Sequence, residues 1–259
     1  MTSLREYFLN NKGRLIHKWD LYFEIYERHF NLYVGKSVTI LEIGVSHGGS
    51  LQMWKNYFGP NARIFGIDVN PACKELEEEN IEIFIGSQSN RLFLRNIKDK
   101  IGKIDILIDD GGHMMSQQII SFEELFPLLS SQGVYLCEDV HTSYWLKFGG
   151  GYKRCGTFIE YAKNIIDKIN AYHSEQTYQL NVDDFTRSIN SIHFYDSIVV
   201  IEKCQRQKPF HLKTGNVLIQ HDSKVKSPIK KKIFNVLEIL LTNINKILRF
   251  FRIRSLYWK

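Results

Sequence analysis

Short apolar runs alternate with amphipathic stretches along most of this chain. The runs SVTILEIGV (37–45), ARIFGIDV (62–69) and KIDILIDD (103–110) are predicted to be buried strands, whereas SLQMWKNYF (50–58) and SQQIISFEELFPLL (116–129) have helical spacing. Strands and helices that alternate at this distance are typical of βαβ units. The pattern therefore predicts an α/β fold, in which helices cover both faces of a mostly parallel sheet.

The C-terminal part departs from this pattern in two places. The stretch SIHFYDSIVVIEK (191–203) is predicted to form an antiparallel hairpin added to the sheet. From residue 223 to 259 the chain has ten Lys and Arg against one acid, Glu238, and its Leu and Ile residues recur at helical spacing. We expect a basic amphipathic helix that begins near Pro228.

The charge of this tail limits its partners. The whole chain has a net charge of +6, so the nine net positive charges of the tail leave the remainder at −3. The helix is expected either to make peripheral contact with an anionic membrane or to pack on protein, including a second copy of the chain. Nucleic acid is not expected as a partner, because the aromatic residues cluster at the end of the tail instead of interleaving with the basic ones.

Composition excludes several classes of protein. With 259 residues, of which 44% are apolar, the chain can bury a sizeable core. Its four cysteines are far apart and form no CxxC pair, which argues against a zinc site and favours a reducing compartment. The N-terminus has charges where a signal peptide needs an apolar core, and no run of about 18 apolar residues occurs. We therefore predict a cytoplasmic location, with the inner face of the membrane as the place of any peripheral contact.

Glycines and acids collect where the predicted strands end, which is where open α/β sheets bind ligands. The first strand ends in EIGVSHGGS (42–50), whose glycines allow a ligand to approach the backbone, and the second ends at Asp68, which can accept the hydroxyls of a ribose. The turn lacks the full GxGxxG fingerprint of dinucleotide enzymes, and Glu42 would repel a diphosphate. A cationic adenosine ligand without phosphate, S-adenosylmethionine, suits these residues better.

Four motifs occur in order at the separations of a known family. LEIGVSHGGSLQMW (41–54), FGIDVNP (65–71), IDILIDDGGH (104–113) and GVYLCEDVHTSYW (133–145) resemble the class I S-adenosylmethionine-dependent methyltransferases. Within that class they are similar to the metal-dependent sugar O-methyltransferases of macrolide biosynthesis. The resemblance covers roughly Trp19 to Glu202 and implies a Rossmann-like methyltransferase fold. We predict a methyltransferase domain at 37–222, between an N-terminal helical cap at 1–36 and the basic tail at 223–259.

The resemblance also implies a set of site residues. It assigns Mg²⁺ to Asp110, Glu138 and Asp139, and the role of catalytic base to His113, with Asp110 beside it. All-oxygen ligands favour a hard ion, so Mn²⁺ or Ca²⁺ is an alternative, as is a helix-capping role for one or two of the acids. His141 is a second candidate for the base or for a substrate contact. The residues predicted to bind the cofactor are Glu42, Gly44, Ser46, Gly48, Ser50, Asp68, Ser87, Gln88 and Asp109.

The predicted function is an S-adenosylmethionine-dependent, Mg²⁺-assisted O-methyltransfer to a sugar hydroxyl. The sugar belongs to a nucleotide sugar, a surface polysaccharide precursor or a glycosylated natural product. Two alternatives stay open: a metal-dependent hydroxylase or hydrolase on the same fold, and a non-catalytic cofactor-binding subunit. The N-terminal stretch is expected to place His17, Trp19, Tyr22 and Tyr26 on one aromatic helix, which either closes over the site or packs on the core.

Overall fold

The structure, a computed structural model, describes residues 3–219 and 228–250. In this part of the chain seven strands form one sheet in the order β3-β2-β1-β4-β5-β7-β6. The first five strands pair in parallel, and β7 is antiparallel to both β5 and β6. The strands are β1 (Thr39–Ile43), β2 (Arg63–Asp68), β3 (Ile81–Ile85), β4 (Ile104–Asp109), β5 (Leu129–Cys137), β6 (Ile189–Phe194) and β7 (Val199–Lys203). The predicted parallel sheet with a late antiparallel hairpin is confirmed.

Helices cover both faces of this sheet, as predicted. They are α1 (Leu4–Leu9), α2 (Tyr22–Phe30), α3 (Gly49–Phe58), α4 (Arg91–Ile101), α5 (Met115–Leu125), α6 (Phe158–Asn170), α7 (Asp184–Ser188) and α8 (Pro228–Phe250). Short 3-10 helices occupy Pro71–Leu76, Val140–Tyr144 and Leu146–Phe148. The sheet and the helices α1 to α7 lie within the compact unit Met1–Pro209.

The buried core has two halves, one on each face of the sheet, because successive residues of a strand point to opposite faces. In β1, Ile40 packs with the aromatic residues of α2 and α3, whereas Leu41 packs against α4 and α5. In β4 the same alternation sends Ile106 and Ile108 to the first face and Leu107 to the second. This alternation also decides on which face each polar residue at a strand end emerges.

The order of strands reverses between β1 and β4. From β1 the chain continues to β2 and β3 on one side, and then crosses to β4 and β5 on the other. The loops that follow β1 and β4 therefore diverge, and they leave a crevice at the carboxyl ends of these strands, where ligands of such sheets bind.

The aromatic helix of the N-terminal stretch is shorter than expected. The helix α2 begins at Tyr22, so Tyr26 lies on it, but the expectation that His17 and Trp19 share the helix is wrong. Residues 14–19 have no helical structure, and the side chain of Lys18 in this stretch reaches the end of the sheet through contacts described below.

The second compact unit spans Phe210–Lys259 and contains α8. The helix begins at Pro228, as expected, and Ile233, Val236, Leu240 and Ile247 on it are more than half exposed. No helix in the described ranges is both long and apolar enough to cross a membrane. The boundaries at 36 and 222 stay predictions, as does the part of the tail outside the described residues.

Candidate active site

Three acids from three neighbouring strands converge at the carboxyl end of the sheet. Glu42 lies in β1, Asp110 follows β4 and Glu138 follows β5. Each comes two residues after an apolar residue of the first core half, so strand alternation turns all three toward the face that α2 and α3 cover. Glu42 and Glu138 are buried, and the side chain of Asp110 is 22% exposed.

A lysine that the sequence did not single out lies among these acids. The ammonium nitrogen of Lys18 is 2.6 Å from Asp110 Oδ2, 2.9 Å from both oxygens of Glu138 and 3.5 Å from Glu42 Oε1. Its side chain is only 3% exposed. Tyr26 donates a further hydrogen bond of 2.7 Å to Glu138 Oε1. We call Lys18, Glu42, Asp110 and Glu138 the acid pocket.

The acid pocket has three carboxyl groups and one ammonium group. Burial raises the pKa of Glu138 well above its usual range and Asp110 adds to the rise, although Lys18 and Tyr26 oppose it. Burial likewise raises the pKa of Glu42, again against Lys18. Burial alone would lower the pKa of Lys18, but the surrounding carboxylates outweigh it and raise that pKa well above the usual value. Three carboxyl groups thus share one ammonium group, and the raised pKa values of the two glutamates favour their protonated forms. A further cation in the pocket would favour their ionised forms.

His113 lies beside the acid pocket, next to a fourth acid. Its Nε2 is 3.6 Å from Asp139 Oδ2 and 3.9 Å from Asp110 Oδ1, and one donor atom from each of these three residues falls within 4.8 Å of the others. Asp110 therefore has one oxygen toward Lys18 and the other toward His113. On its other side, Asp139 Oδ1 accepts a hydrogen bond of 2.6 Å from Tyr22.

The backbone holds His113 and Asp139 in an uncommon conformation. Their φ angles are 56° and 53°, in the left-handed region that residues other than glycine seldom adopt. The buried hydroxyl of Thr142 lies 2.8 Å from the carbonyl oxygen of Asp139 and 3.2 Å from that of His113. The one hydroxyl proton of Thr142 is thus shared between the two carbonyl oxygens, with the shorter contact to Asp139. Backbone strain of this kind is often found at functional sites.

The donor set fits a hard divalent cation. The carboxylates of Asp110 and Glu138 already place their oxygens around one cationic nitrogen, and Asp139 is held next to Asp110 through His113. Carboxylate oxygens are the ligands that Mg²⁺ and Ca²⁺ prefer, and the described cysteines lie outside the group. Asp110 takes part in both arrangements: it shares Lys18 with Glu138, and it lies within 4.8 Å of His113 and Asp139. The assignment of all three acids to one ion stays a prediction.

A cavity of about 280 Å³ lies next to this group, in the crevice between β1 and β4. Gly44, Ser46, Asp68, Gln88 and Asp110 are among the residues that line it. Gly44 has φ of 94°, and a Cβ there would lie 2.0 Å from the carbonyl oxygen of Asp110, so only glycine fits. Asp68 Oδ2 accepts hydrogen bonds from the amides of Val45 and Ser46, which fixes the turn that follows β1.

The other residues predicted to bind the cofactor lie outside the lining of the cavity. Ser50 donates to Glu42 Oε2 over 2.8 Å, Gly48 precedes the first turn of α3, and Ser87 accepts from the amide of Ser89. Gln88 lines the cavity, but its amide nitrogen donates to Asp109 and Ser121 and its oxygen accepts from the amide of Gly112. Its polar atoms thus hold the walls of the cavity in place.

Asp109 emerges on the opposite face from Asp110, because the two residues are consecutive at the end of β4. It is 1% exposed and accepts hydrogen bonds from Gln88 Nε2 and from the hydroxyl of Tyr135, each of 3.1 Å. Burial raises the pKa of Asp109 to about 7, and these hydrogen bonds limit the rise.

The chain has close relatives among enzymes that methylate sugars. No family model matches it. It is 34% identical over 198 residues to the 8-demethyl-8-alpha-L-rhamnosyl tetracenomycin-C 2'-O-methyltransferase of Streptomyces olivaceus, a match that covers 72% of this chain and 51% of the relative. It is 35% identical over 188 residues to the mycinamicin VI 2''-O-methyltransferase of Micromonospora griseorubida, with 69% and 47% covered.

A solved structure agrees with these relatives. The fold matches MycE, a methyltransferase of the mycinamycin biosynthetic pathway solved with Mg, SAH and mycinamycin VI, with a TM-score of 0.69 and 32% identity. The match covers 79% of this chain and 53% of MycE. The chain belongs to the class I methyltransferases and resembles the macrolide-sugar O-methyltransferases. It spans about half the length of the curated relatives it matches.

In this class I methyltransferase, aromatic side chains form a wall beside the candidate base. His141 packs edge-on against Trp19 and Trp145, with ring centroids 6.2 and 4.6 Å away, and its Nδ1 contacts the hydroxyl of Ser197. Phe148 continues the wall from Trp145 to His113. Trp19 and Trp145 are 57% and 45% exposed, which is unusual for tryptophan and leaves their surfaces open to a ligand.

A second group of possible metal ligands in the methyltransferase lies elsewhere. His29, His193 and Glu202 also bring three donor atoms within 4.8 Å of one another, beside the hairpin strand β7, in which Glu202 pairs with Val134 of β5. These donors already have hydrogen-bond partners: the two ring nitrogens of His29 contact Glu202 and Tyr195, and Ser191 contacts both Glu202 and His193. Because His29 lies in α2 and Glu202 in β7, these contacts attach α2 to the hairpin of β6 and β7.

Two functional candidates in this methyltransferase were missed by the sequence analysis. Lys18 is 92 residues from Asp110 and 120 from Glu138, so spacing gives no sign that they meet. Thr142 is part of the EDVHTSYW motif, but a threonine in a loop is indistinguishable in sequence from a capping residue. Both become visible only when the ends of β4 and β5 are brought together.

Proposed function

We propose that this chain is an S-adenosylmethionine-dependent O-methyltransferase that acts on a sugar hydroxyl with the assistance of Mg²⁺. The observation that carries this proposal is that the cavity and the group formed by Asp110, His113 and Asp139 share Asp110. A cofactor in the cavity would therefore direct its methyl group toward the candidate base. The relatives support the same reaction class, because they are O-methyltransferases of glycosylated compounds.

Asp68 is the residue best placed to bind the ribose of the cofactor. It lines the cavity, and its Oδ1 accepts one backbone amide, that of Asn70, so this oxygen keeps acceptor capacity, whereas Oδ2 already accepts from the amides of Val45 and Ser46. Glu42, 3.5 Å from Lys18, lies on the same side of the sheet and gives the pocket the negative charge that suits a sulfonium or an amino group.

The residues of this chain can orient an acceptor hydroxyl and take its proton. Asp110, Glu138 and Asp139 would hold Mg²⁺, which when bound supplies Lewis-acid activation of a substrate hydroxyl. The Nε2 atom of His113 faces Asp110 and Asp139, so a hydroxyl between these acids lies within its reach, and the imidazole accepts the proton as the oxygen attacks the methyl group. The chain contributes mainly alignment, which Thr142 maintains by fixing the backbone of His113.

The aromatic wall supports a sugar acceptor. Apolar faces of sugar rings pack on aromatic side chains, and Trp19 and Trp145 offer exposed rings next to the candidate base. His141 lies between them and can contact the acceptor, while His113 acts as the base. The acceptor is a nucleotide sugar, a surface polysaccharide precursor or a glycosylated natural product.

The proposal is tested by a screen of sugar nucleotides and glycosides with S-adenosylmethionine and Mg²⁺, in which mass spectrometry detects the gain of one methyl group. We expect His113→Gln to lower kcat by about 10²–10⁴ while calorimetric affinity for SAH is unchanged, because only proton transfer is lost. His211→Gln, an exposed histidine in the second compact unit, is the matched control.

Three outcomes would contradict the proposal in different ways. Full turnover after chelation of divalent ions would refute the role of Mg²⁺. Absence of SAH binding would favour the hydroxylase or hydrolase alternative. Unchanged biological activity of the Asp110→Ala and His113→Ala variants would favour a non-catalytic subunit.

We also propose that α8 makes peripheral contact with an anionic membrane. Its exposed Ile, Val and Leu residues and the ten Lys and Arg of residues 223–259 have the chemistry to bury apolar surface while neutralising lipid phosphates. In flotation experiments, the full chain should bind phosphatidylglycerol vesicles but not phosphatidylcholine vesicles, and a chain that ends at Asp222 should bind neither. Equal flotation of the two chains would refute the proposal, and salt-resistant dimerisation without flotation would assign the helix to self-association. The cytoplasmic location stays a prediction.

A further inference from the structure

We infer that Lys18 is a displaceable cation of the acid pocket: its ammonium group holds Asp110 and Glu138 while no metal is bound, and Mg²⁺ replaces it by exchange. The inference rests on the proposed function, since it takes Mg²⁺ as the ion of this site. It adds a coupling between metal binding and the N-terminal segment that carries Lys18.

Lysine and metal compete for the same oxygens. The Lys18 nitrogen is 2.6 Å from Asp110 Oδ2 and 2.9 Å from both oxygens of Glu138, so no oxygen of Glu138 is free of it. Mg²⁺ binds carboxylate oxygens at about 2.0–2.1 Å and demands near-octahedral geometry. An ion that uses Asp110 and Glu138 as ligands must therefore displace the ammonium group from at least one of them, because adjacent cations also repel each other.

The charge of the pocket favours the divalent ion in this exchange. Glu42, Asp110 and Glu138 surround one lysine, and Asp139 lies next to Asp110 across His113. With Lys18 as the counter-ion, the pocket keeps an excess of carboxyl groups over cations. A divalent ion offsets more of this excess than the ammonium group does.

Residues 17–21 lie between two anchors, so the side chain of Lys18 can leave the acid pocket while the rest of the chain stays folded. Upstream, Arg14 donates a hydrogen bond of 2.8 Å to the carbonyl oxygen of Leu76, and Ile16 is buried. The backbone of residues 14–16 also passes close to Gly49, because a Cβ added to Gly49 would lie 2.3 Å from the carbonyl oxygen of Leu15. Downstream, α2 is fixed in the core from Tyr22 onward. These anchors confine the movement to residues 17–21.

Within residues 17–21, all of which the structure describes, Lys18 alone buries its side chain. The neighbouring residues of the segment are exposed, and Trp19 is 57% exposed. When Lys18 is released, residues 17–21 lose their one buried side-chain contact with the acid pocket. Because Trp19 packs against His141 with ring centroids 6.2 Å apart, the same movement alters the aromatic wall. Metal loading thus reshapes the side of the site that faces the acceptor.

The first experiment measures metal affinity directly. Mn²⁺, which electron paramagnetic resonance detects when free, is titrated into the full chain with SAH present. Lys18→Met should bind Mn²⁺ about tenfold tighter or more, because a competing charge within 3 Å of the ligands is gone. The control is Lys12→Met, at an exposed lysine six residues before Lys18, and it should bind Mn²⁺ as the unmodified chain does. Equal or weaker binding by Lys18→Met overturns the inference, and weaker binding would show that Lys18 orients the acids for the metal.

The second experiment needs no variant, so it holds even if Lys18→Met fails to fold. Hydrogen exchange of the unmodified chain is compared with and without Mg²⁺, and the amide of Tyr22, which donates a hydrogen bond of 3.0 Å to the carbonyl oxygen of Trp19, should exchange faster when the ion is bound. Unchanged or slower exchange there overturns the inference while leaving methyl transfer untouched. If SAH binds but Mn²⁺ binds to no form of the chain, the inference falls together with the metal part of the proposed function, and the cofactor part stands.

Discussion

Asp109 offers a direct test of how strand alternation divides the two adjacent acids of the site. It is 1% exposed on the face opposite the acid pocket, and burial raises its pKa to about 7. The perturbation is Asp109→Asn, which keeps the shape and the acceptor oxygen for Gln88 but removes the titration. Because Asp109 is placed away from the lining of the cavity, affinity for SAH should change little.

The magnitude follows from proton linkage. The usual pKa of an aspartate is about 3.9, and the folded chain holds this group at about 7. The folded state therefore binds the proton more tightly than the unfolded state does, so the fold loses stability as the pH rises between these two values, and the loss is complete above the folded pKa. Between about pH 5 and pH 8 this one group lowers the free energy of unfolding by about 2–3 kcal/mol.

The assay is urea denaturation of the unmodified chain and of Asp109→Asn, each at about pH 5 and at about pH 8. The stability of the variant relative to the unmodified chain should rise by about 2–3 kcal/mol from pH 5 to pH 8. Hydrogen bonds lost in the variant, such as that from Tyr135, reduce its stability at both pH values and largely cancel in this comparison. Asp99→Asn, an exposed acid of α4, is the control and should show no such change. A difference that is independent of pH would refute the placement of Asp109 as a buried acid.

Three further substitutions test the site. Asp68→Ala should weaken SAH binding by about tenfold or more, measured by calorimetry, because a hydrogen bond to a charged group contributes about 1.5–3 kcal/mol. Unchanged affinity would remove Asp68 from the cofactor site. Thr142→Val should lower kcat while SAH affinity is kept, since its hydroxyl fastens His113 and Asp139; a loss confined to thermal stability would leave it a purely structural role. Tyr26→Phe should lower the free energy of unfolding by about 1.5–3 kcal/mol through loss of its bond to Glu138, and an unchanged urea midpoint would contradict that estimate.

The architecture of the sheet could be predicted from the sequence, because it depends on the periodicity of apolar and polar residues. Apolar runs such as 37–45 and 103–110 became β1 and β4, and the stretch 191–203 became β6 and β7. The period of two even decides the face of an acid at a strand end. Ile106, Ile108 and Asp110 share one face, so a strict count along β4 already separates Asp110 from Asp109.

The residues that contact these acids could not be predicted from the sequence, because the contacts depend on long-range packing. Lys18 comes from a segment without regular structure, and no periodicity connects it to Asp110. The resemblance placed Glu138 with Asp110 and Asp139, but it could not show that Glu138 also binds Lys18 and Tyr26. The hydrophobic pattern predicts where strands end, whereas the contacts beyond those ends depend on loops whose conformations the pattern does not encode.

The contacts of Lys18 also explain why the N-terminal segment is part of the methyltransferase body. Buried carboxylates without a counter-ion destabilise a fold strongly, since a charge taken out of water needs a partner. Glu42 and Glu138 are buried at the carboxyl ends of β1 and β5, on either side of β4, so a chain that folds before it meets a metal needs a cation of its own. Lys18 supplies it from a segment that is anchored on both sides but exposed between its anchors. The acid pocket can therefore fold in the absence of metal and still accept a stronger cation afterwards, which a permanently buried ion pair could not do.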